Sequence, residues 1–325
     1  MKKGTDMALA LGAKKLHERR RTMYAKSKEY NSRFIDAKTG LCKKQYLEER
    51  ACPVCGSKKE RELFIKGGGR YVGCEKCRMV YLNPAFTDRA LDMFYSGNLP
   101  TQAVLSAQEI DFGRMIYGNG LAAISKFKKT GTVIDVGCSS GLFLDMAKER
   151  GWKTIGVELN SAEAAIAQKK HEVYVESIQR LMLDKKCDVV TMWDVLEHIK
   201  DGKSTLELLA DKYLTKRGLV FLQIPNVRAL AVSMMQEKSK MFDGIEHVNL
   251  YDPETIRLQA ERSGFDVVHL STIISEIPIM ANYLDYQDPY FGTAIHGGKV
   301  AGLIDEKTLH THLLGYKMQV VLRRR

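Results

Sequence analysis

From Val133 to Leu270, short apolar runs alternate with stretches in which apolar residues recur at helical spacing. Val133 to Val136, Thr154 to Val157, Val173 to Val175, Val189 to Met192, Leu219 to Ile224 and Phe265 to Leu270 predict buried strands. Leu142 to Arg150 keeps a helical period between the first two. Strands separated by helices are joined by crossovers, so the pattern predicts an α/β fold with a mainly parallel sheet covered on both faces. A last strand is predicted at Tyr316 to Leu322. The little-patterned stretch before it, near 271–315, carries Tyr283, Tyr286, Tyr290 and His296 and reads as an insertion.

Upstream the pattern is different. Ala51 to about Leu82 is a compact cysteine-containing segment closed by Asn83-Pro84, and Thr87 to Tyr95 reads as a short capped helix. Gly97, Pro100, Gly113, Gly118 and Gly120 mark a mixed, helix-leaning stretch. The expected organisation is a basic helical arm over 1–50, a cysteine module over 51–96, a helical linker over 97–128 and the α/β domain over 129–325. No internal repeats are present.

Charge and length refine this picture. The 325 residues carry a net charge of +11, and residues 1–51 hold fourteen Lys and Arg against six Asp and Glu, which leaves the rest nearly balanced. Lys14 to Arg21 could meet nucleic acid, an anionic membrane face or a phosphorylated carrier. Without interleaved aromatic residues, a solvated basic helix is favoured over a dedicated anionic partner. No apolar segment approaches the ~20 residues of a membrane span, and Met7 to Ala13 makes a poor signal-peptide core, so a cytoplasmic location is expected.

The cysteines agree with a reducing compartment. Four of the seven stand as Cys52-x-x-Cys55 and Cys74-x-x-Cys77, a spacing that lets two tight turns bring four thiolates to one ion. A closed thiolate shell leaves no position for water, so the predicted zinc is structural.

The segment Val133-Ile134-Asp135-Val136-Gly137-Cys138-Ser139-Ser140-Gly141-Leu142, with Glu158 ending the next strand, reads as a nucleoside-binding turn. A dinucleotide fingerprint would need glycine at 139 and 142, where Ser139 and Leu142 stand, so the expected ligand lacks phosphates. This combination resembles motif I and the acidic position of the class I S-adenosylmethionine-dependent methyltransferases. Further stretches are similar to the same family. They are Gly151 to Ser161, Asp188 to His198, Leu214 to Asn226 with its Pro-Asn ending, and Glu246 to Tyr251 with Gly264-Phe265.

The resemblance implies a Rossmann-like core with a seven-stranded sheet and S-adenosylmethionine as donor. It places Asp135, Gly137, Ser139 and Gly141 around the methionine portion, Glu158 on the ribose, Ser177 and Ile178 beside adenine, and Trp193 and Asp194 at the strand end beside the methyl group. The family usually has glycine where this chain has Ser139, and a side chain there narrows the approach of ligand to backbone.

For an oxygen acceptor a proton must leave, and His247 and His198 are candidate bases near neutral pH. Alternatively, Asp194, Glu197, His198 and the distal His247 resemble the set that holds a divalent cation in small-RNA 2'-O-methyltransferases and ubiquinone-pathway O-methyltransferases. Mg, Mn or Zn would suit those ligands. The cysteine module resembles the N-terminal zinc ribbons of bacterial methyltransferases associated with sugar and surface-polysaccharide modification. The expectation is therefore methyl transfer to a hydroxyl of a small molecule, a sugar nucleotide or glycan, with carbon methylation also open. An RNA methyltransferase docking through arm and ribbon is the runner-up, followed by a non-catalytic binding protein that retains the fold.

Overall fold

The computed structural model describes residues 29–97, 107–274 and 306–325. Thirteen strands are present among them: β1 (Leu47–Glu48), β2 (Glu60–Lys66), β3 (Gly69–Cys74), β4 (Val80–Leu82), β5 (Ala85–Phe86), β6 (Thr132–Val136), β7 (Lys153–Val157), β8 (Glu172–Tyr174), β9 (Cys187–Trp193), β10 (Leu214–Pro225), β11 (Asn249–Leu250), β12 (Phe265–Ile273) and β13 (Lys317–Arg324).

Seven of them form the predicted sheet in the order β12-β13-β10-β9-β6-β7-β8. β13 runs antiparallel to both neighbours, and the remaining adjacent pairs are parallel. Successive side chains point to opposite faces of a strand, and here both faces are buried. Ile134, Val190, Leu222 and Val320 pack on one side with Leu206 and Ile256. Val133, Val189, Phe221 and Val321 pack on the other with Ile116, Ile124 and Phe143. That two-sided burial is why the strands read as continuous apolar runs.

Helix boundaries follow local chemistry. Asn160 caps Ser161–Ala167 by accepting from the N–H groups of Ala162 and Glu163. Asp252 and Thr255 form a capping box at Pro253–Arg262, where proline occupies the first turn. The sequence-predicted helix near Thr87 is found as Asp88–Gly97.

Two expectations need correction. Residues 29–50 do not form a helical arm: beyond one short helical piece they make 3-10 turns, an Ile35–Cys42 bridge and β1, which pairs with β5. Phe34 and Cys42 are buried with Phe86 and Phe94, so apolar burial rather than charge decides this segment. The arm before residue 29 lies outside the described residues. The second correction concerns the helical linker. Ala107–Ser125 is a helix, but Ile116, Leu121 and Ile124 are core residues of the α/β domain, so this part of the stretch is packed structure.

The cysteine module is not an isolated ribbon. Its antiparallel sheet runs β11-β4-β3-β2, and β11 comes from the C-terminal half of the chain, with Asn249 opposite Tyr81 and Leu250 opposite Val80. Tyr283, Tyr286, Tyr290 and His296 of the expected insertion lie outside the described residues. Among the described residues, no helix is long and apolar enough to cross a membrane.

Candidate active site

The turn after β6 is built for close approach. Gly137 and Gly141 have φ of +75° and +90°, and between them Ser139 holds φ +47°. A non-glycine residue in this region costs about 1 kcal/mol or more, so the surroundings must impose it. Glu158 does so: one carboxylate oxygen accepts from the Ser139 N–H at 2.8 Å and the other from the Asn160 N–H at 2.8 Å. Burial raises its pKa, against the lowering effect of those N–H groups. Each oxygen retains a second lone pair, which suits the two hydroxyls of a ribose.

Asp135 is buried at the end of β6 and accepts from the Thr191 hydroxyl at 2.6 Å. Burial pushes its carboxyl up to about 8, with Glu158 adding to the rise. Ile178 is buried in the same core cluster as Val136 and Val157, and its carbonyl accepts from the Tyr213 hydroxyl. The N–H of Ser177 donates to Glu176.

Trp193 and Asp194 diverge at the end of β9. The Trp193 ring is buried among Tyr117, Phe143 and Phe221, with centroids 4.7, 5.1 and 4.5 Å away. Its Nε1 has no hydrogen-bond partner among the described residues. Asp194 holds φ +56°, pairs with Lys317 at 2.7 Å and accepts from the Gln223 side chain at 3.1 Å. The sequence gives no local sign of Lys317, which arrives from the last strand.

Beyond β9, a 3-10 turn over Leu196–His198 carries Glu197 and His198. Glu197 is fully buried, and neither carboxylate oxygen has a hydrogen-bond partner among the described residues. Burial raises its pKa well above the ordinary carboxylate range, and the charge of Asp194 adds to this. His198 Nδ1 lies 3.1 Å from the Glu246 carbonyl, and His247 Nδ1 lies 2.6 Å from the Met241 carbonyl. A carbonyl can only accept, so both Nδ1 atoms carry a proton and each ring turns Nε2 away from these carbonyls. Burial pushes His198 down to about 3, with His247 contributing, so it stays neutral.

The two rings are 4.9 Å apart. Glu197, His198 and His247 each bring a donor atom within 4.8 Å of the others. Asp194 does not join this group, which corrects the four-residue set expected from sequence. Its carboxylate is held by Lys317 and Gln223 instead.

The His247 loop rests on the cysteine module. Asp243 accepts from the N–H groups of Ile245 and Glu246 at 2.7 Å and lies 3.1 Å from His247 Nδ1. The Gly244 N–H donates to the buried Tyr71 hydroxyl at 2.9 Å. A Cβ on Gly69 would lie 2.2 Å from the Gly244 carbonyl oxygen, so only glycine lets the β2–β3 turn approach this closely. Asp243 and Tyr71 carry no motif signal, since their partners are remote in sequence or set by loop geometry.

In the module itself, Cys52 Sγ lies 3.5 Å from Cys77 Sγ, and Cys55 Sγ lies 3.5 Å from Cys74 Sγ. All four sulfurs fall within 4.8 Å of one another. Tetrahedral Zn–S bonds of about 2.3 Å would set them roughly 3.8 Å apart.

Residues 112–270 match a family described as methyltransferase domain. A ubiquinone biosynthesis O-methyltransferase from Pseudomonas fluorescens (strain SBW25) is 29% identical over 84 residues, covering 23% of this chain and 36% of that protein. The protein of the same name from Pseudomonas paraeruginosa (strain DSM 24068 / PA7) is 29% identical over 105 residues, covering 29% and 44%. The chain spans less than half the length of either relative. Among solved structures, magnesium protoporphyrin IX methyltransferase from Synechocystis PCC 6803 with bound SAH has a TM-score of 0.45 at 15% identity, covering 73% of this chain and 95% of that one.

Proposed function

We propose that this chain is an S-adenosylmethionine-dependent methyltransferase that methylates a hydroxyl of a small molecule with help from a divalent cation held by Glu197, His198 and His247. The observation that carries the reading is Glu197. A carboxylate buried with both oxygens unpartnered costs about 1–3 kcal/mol, and the imidazoles of His198 and His247 each bring a nitrogen within 4.8 Å of it. A proton-accepting His247 acting alone would leave that burial unexplained. A cation uses all three groups, and the carbonyls on each Nδ1 orient the rings for it.

The donor supplies a methyl group already activated on a sulfonium, so the protein's work is positioning and proton removal. Glu158 takes the ribose hydroxyls, and the turn through Gly137, Ser139 and Gly141, with Asp135 behind it, receives the methionine portion. Ser177 and Ile178 border adenine. Trp193 acts through the rigid aromatic cluster that holds the end of β9, and Asp194, fixed by Lys317, faces the acceptor side. A cation at the three-residue cluster would lower the pKa of an acceptor hydroxyl. His198 stays neutral and serves as a ligand rather than a base.

The names of the two relatives support an oxygen acceptor on a small molecule. Sugar nucleotides and glycans are the first acceptors we infer, from the resemblance of the cysteine module. The four cysteines hold a structural zinc, which the sulfur separations support. A tritium methyl-transfer screen against sugar nucleotides, glycans, phenols and total RNA, with and without chelator, tests the reading. Turnover on a hydroxyl that stops on chelation and returns with Mg or Mn is the expected result. RNA as sole acceptor would replace the substrate class, and chelator-resistant turnover would return the proton to His247 as base.

A further inference from the structure

Arg50 stands two residues before Cys52 and touches both histidine-bearing segments. Its Nη2 donates to the Lys200 carbonyl at 2.7 Å and to Asn249 Oδ1 at 3.0 Å. Lys200 is two residues beyond His198, and Asn249 is two residues beyond His247. The Asn249 amide then donates to the Ile199 carbonyl at 2.6 Å, so the guanidinium closes a ring of hydrogen bonds across the two segments. Arg50 is itself anchored in the cysteine module. Its N–H donates to Asn83 Oδ1 at 2.9 Å, its guanidinium lies 5.7 Å from the Tyr81 ring centre, and Asn83 and Tyr81 both donate to Glu60.

Burial of this side chain is costly: Nη1 is enclosed with no partner among the described residues. A planar guanidinium can serve two acceptors at once in fixed geometry, which an ammonium does less well. Lys200 reinforces the junction through ion pairs with Glu48 and Asp88.

We propose that Arg50 is a positioning residue that sets the separation of His198 from His247 and so ties the cation site to the cysteine module. This rests on the reading of Glu197, His198 and His247 as a cation site. The hydrogen bonds of Arg50 go to Asn83, Lys200 and Asn249 and none goes to the donor residues on the β6 turn among the described residues, so the proposal separates the two halves of the active site.

The test uses the full chain loaded with one equivalent of zinc, and compares wild type, Arg50→Gln and Arg50→Lys. Calorimetry with Mn2+ should show about a 10–100-fold loss of affinity in Arg50→Gln, the usual effect of removing a group that orients metal ligands. Arg50→Lys should recover part of it. Affinity for S-adenosylhomocysteine should stay within about twofold. Unchanged Mn2+ affinity in Arg50→Gln overturns the proposal, and so does a parallel loss of S-adenosylhomocysteine binding, which would mark a general structural role.

If wild type binds no Mn2+, the cation reading fails by itself. Arg50 is then judged by the nuclear Overhauser contact between the two imidazoles in histidine-labelled protein. Its loss in Arg50→Gln supports the positioning role, and its persistence refutes it.

Discussion

Replacing Glu197 with methionine should make the metal-free protein more stable while removing its response to cations. The side chain is fully buried and its two oxygens lack partners, so the wild-type protein bears an uncompensated desolvation cost of about 1–3 kcal/mol. Methionine has similar length and no polar oxygens, and its flexible thioether can fill the same space. For a domain of this size, 1 kcal/mol corresponds to about 2–4 °C in Tm, so chelated Glu197→Met should melt roughly 2–12 °C above chelated wild type. Adding Mn2+ should raise the wild-type Tm through binding to the native state and leave that of Glu197→Met unchanged. Differential scanning calorimetry with chelator and with Mn2+ gives the four values. A variant that is less stable than wild type in chelator would refute the reasoning, since Glu197 would then have partners that support the fold.

Glu158→Ala should weaken donor binding by about 1.5–3 kcal/mol through loss of charge-assisted contacts, and unchanged calorimetric affinity for S-adenosylmethionine would remove the ribose assignment. Cys74→Ser should lose stoichiometric zinc by elemental analysis and impair Mn2+ binding, because the His247 loop rests on the module, while donor affinity persists. Asp135 has a carboxyl pushed up to about 8 in the fold against about 3.9 in an unfolded chain, so the native state keeps a proton that the unfolded state releases. Its contribution therefore makes stability fall as pH rises from about 4 to 8 and level off above. Urea denaturation across that range should show a flatter profile for Asp135→Asn, and parallel profiles would contradict it.

Local chemistry in the sequence determined much of this protein. The strand runs, the glycine-serine turn with Glu158 beyond it, the paired cysteines and the capped helix after Thr87 were readable because each shows in short stretches of neighbouring residues. The two histidines and Glu197 were also visible as candidates. Their arrangement was not, because the features that decide it join distant parts of the chain. Lys317 on the last strand claims Asp194 and leaves a three-residue cluster. Asn249–Leu250 completes the sheet of the cysteine module and brings His247 beside His198. Arg50 reaches Lys200 and Asn249 across separations of 150 and 199 residues. Periodicity reports which face of an element is apolar, but strand pairing and close backbone approach decide which buried polar groups find partners, and only the folded chain sets those.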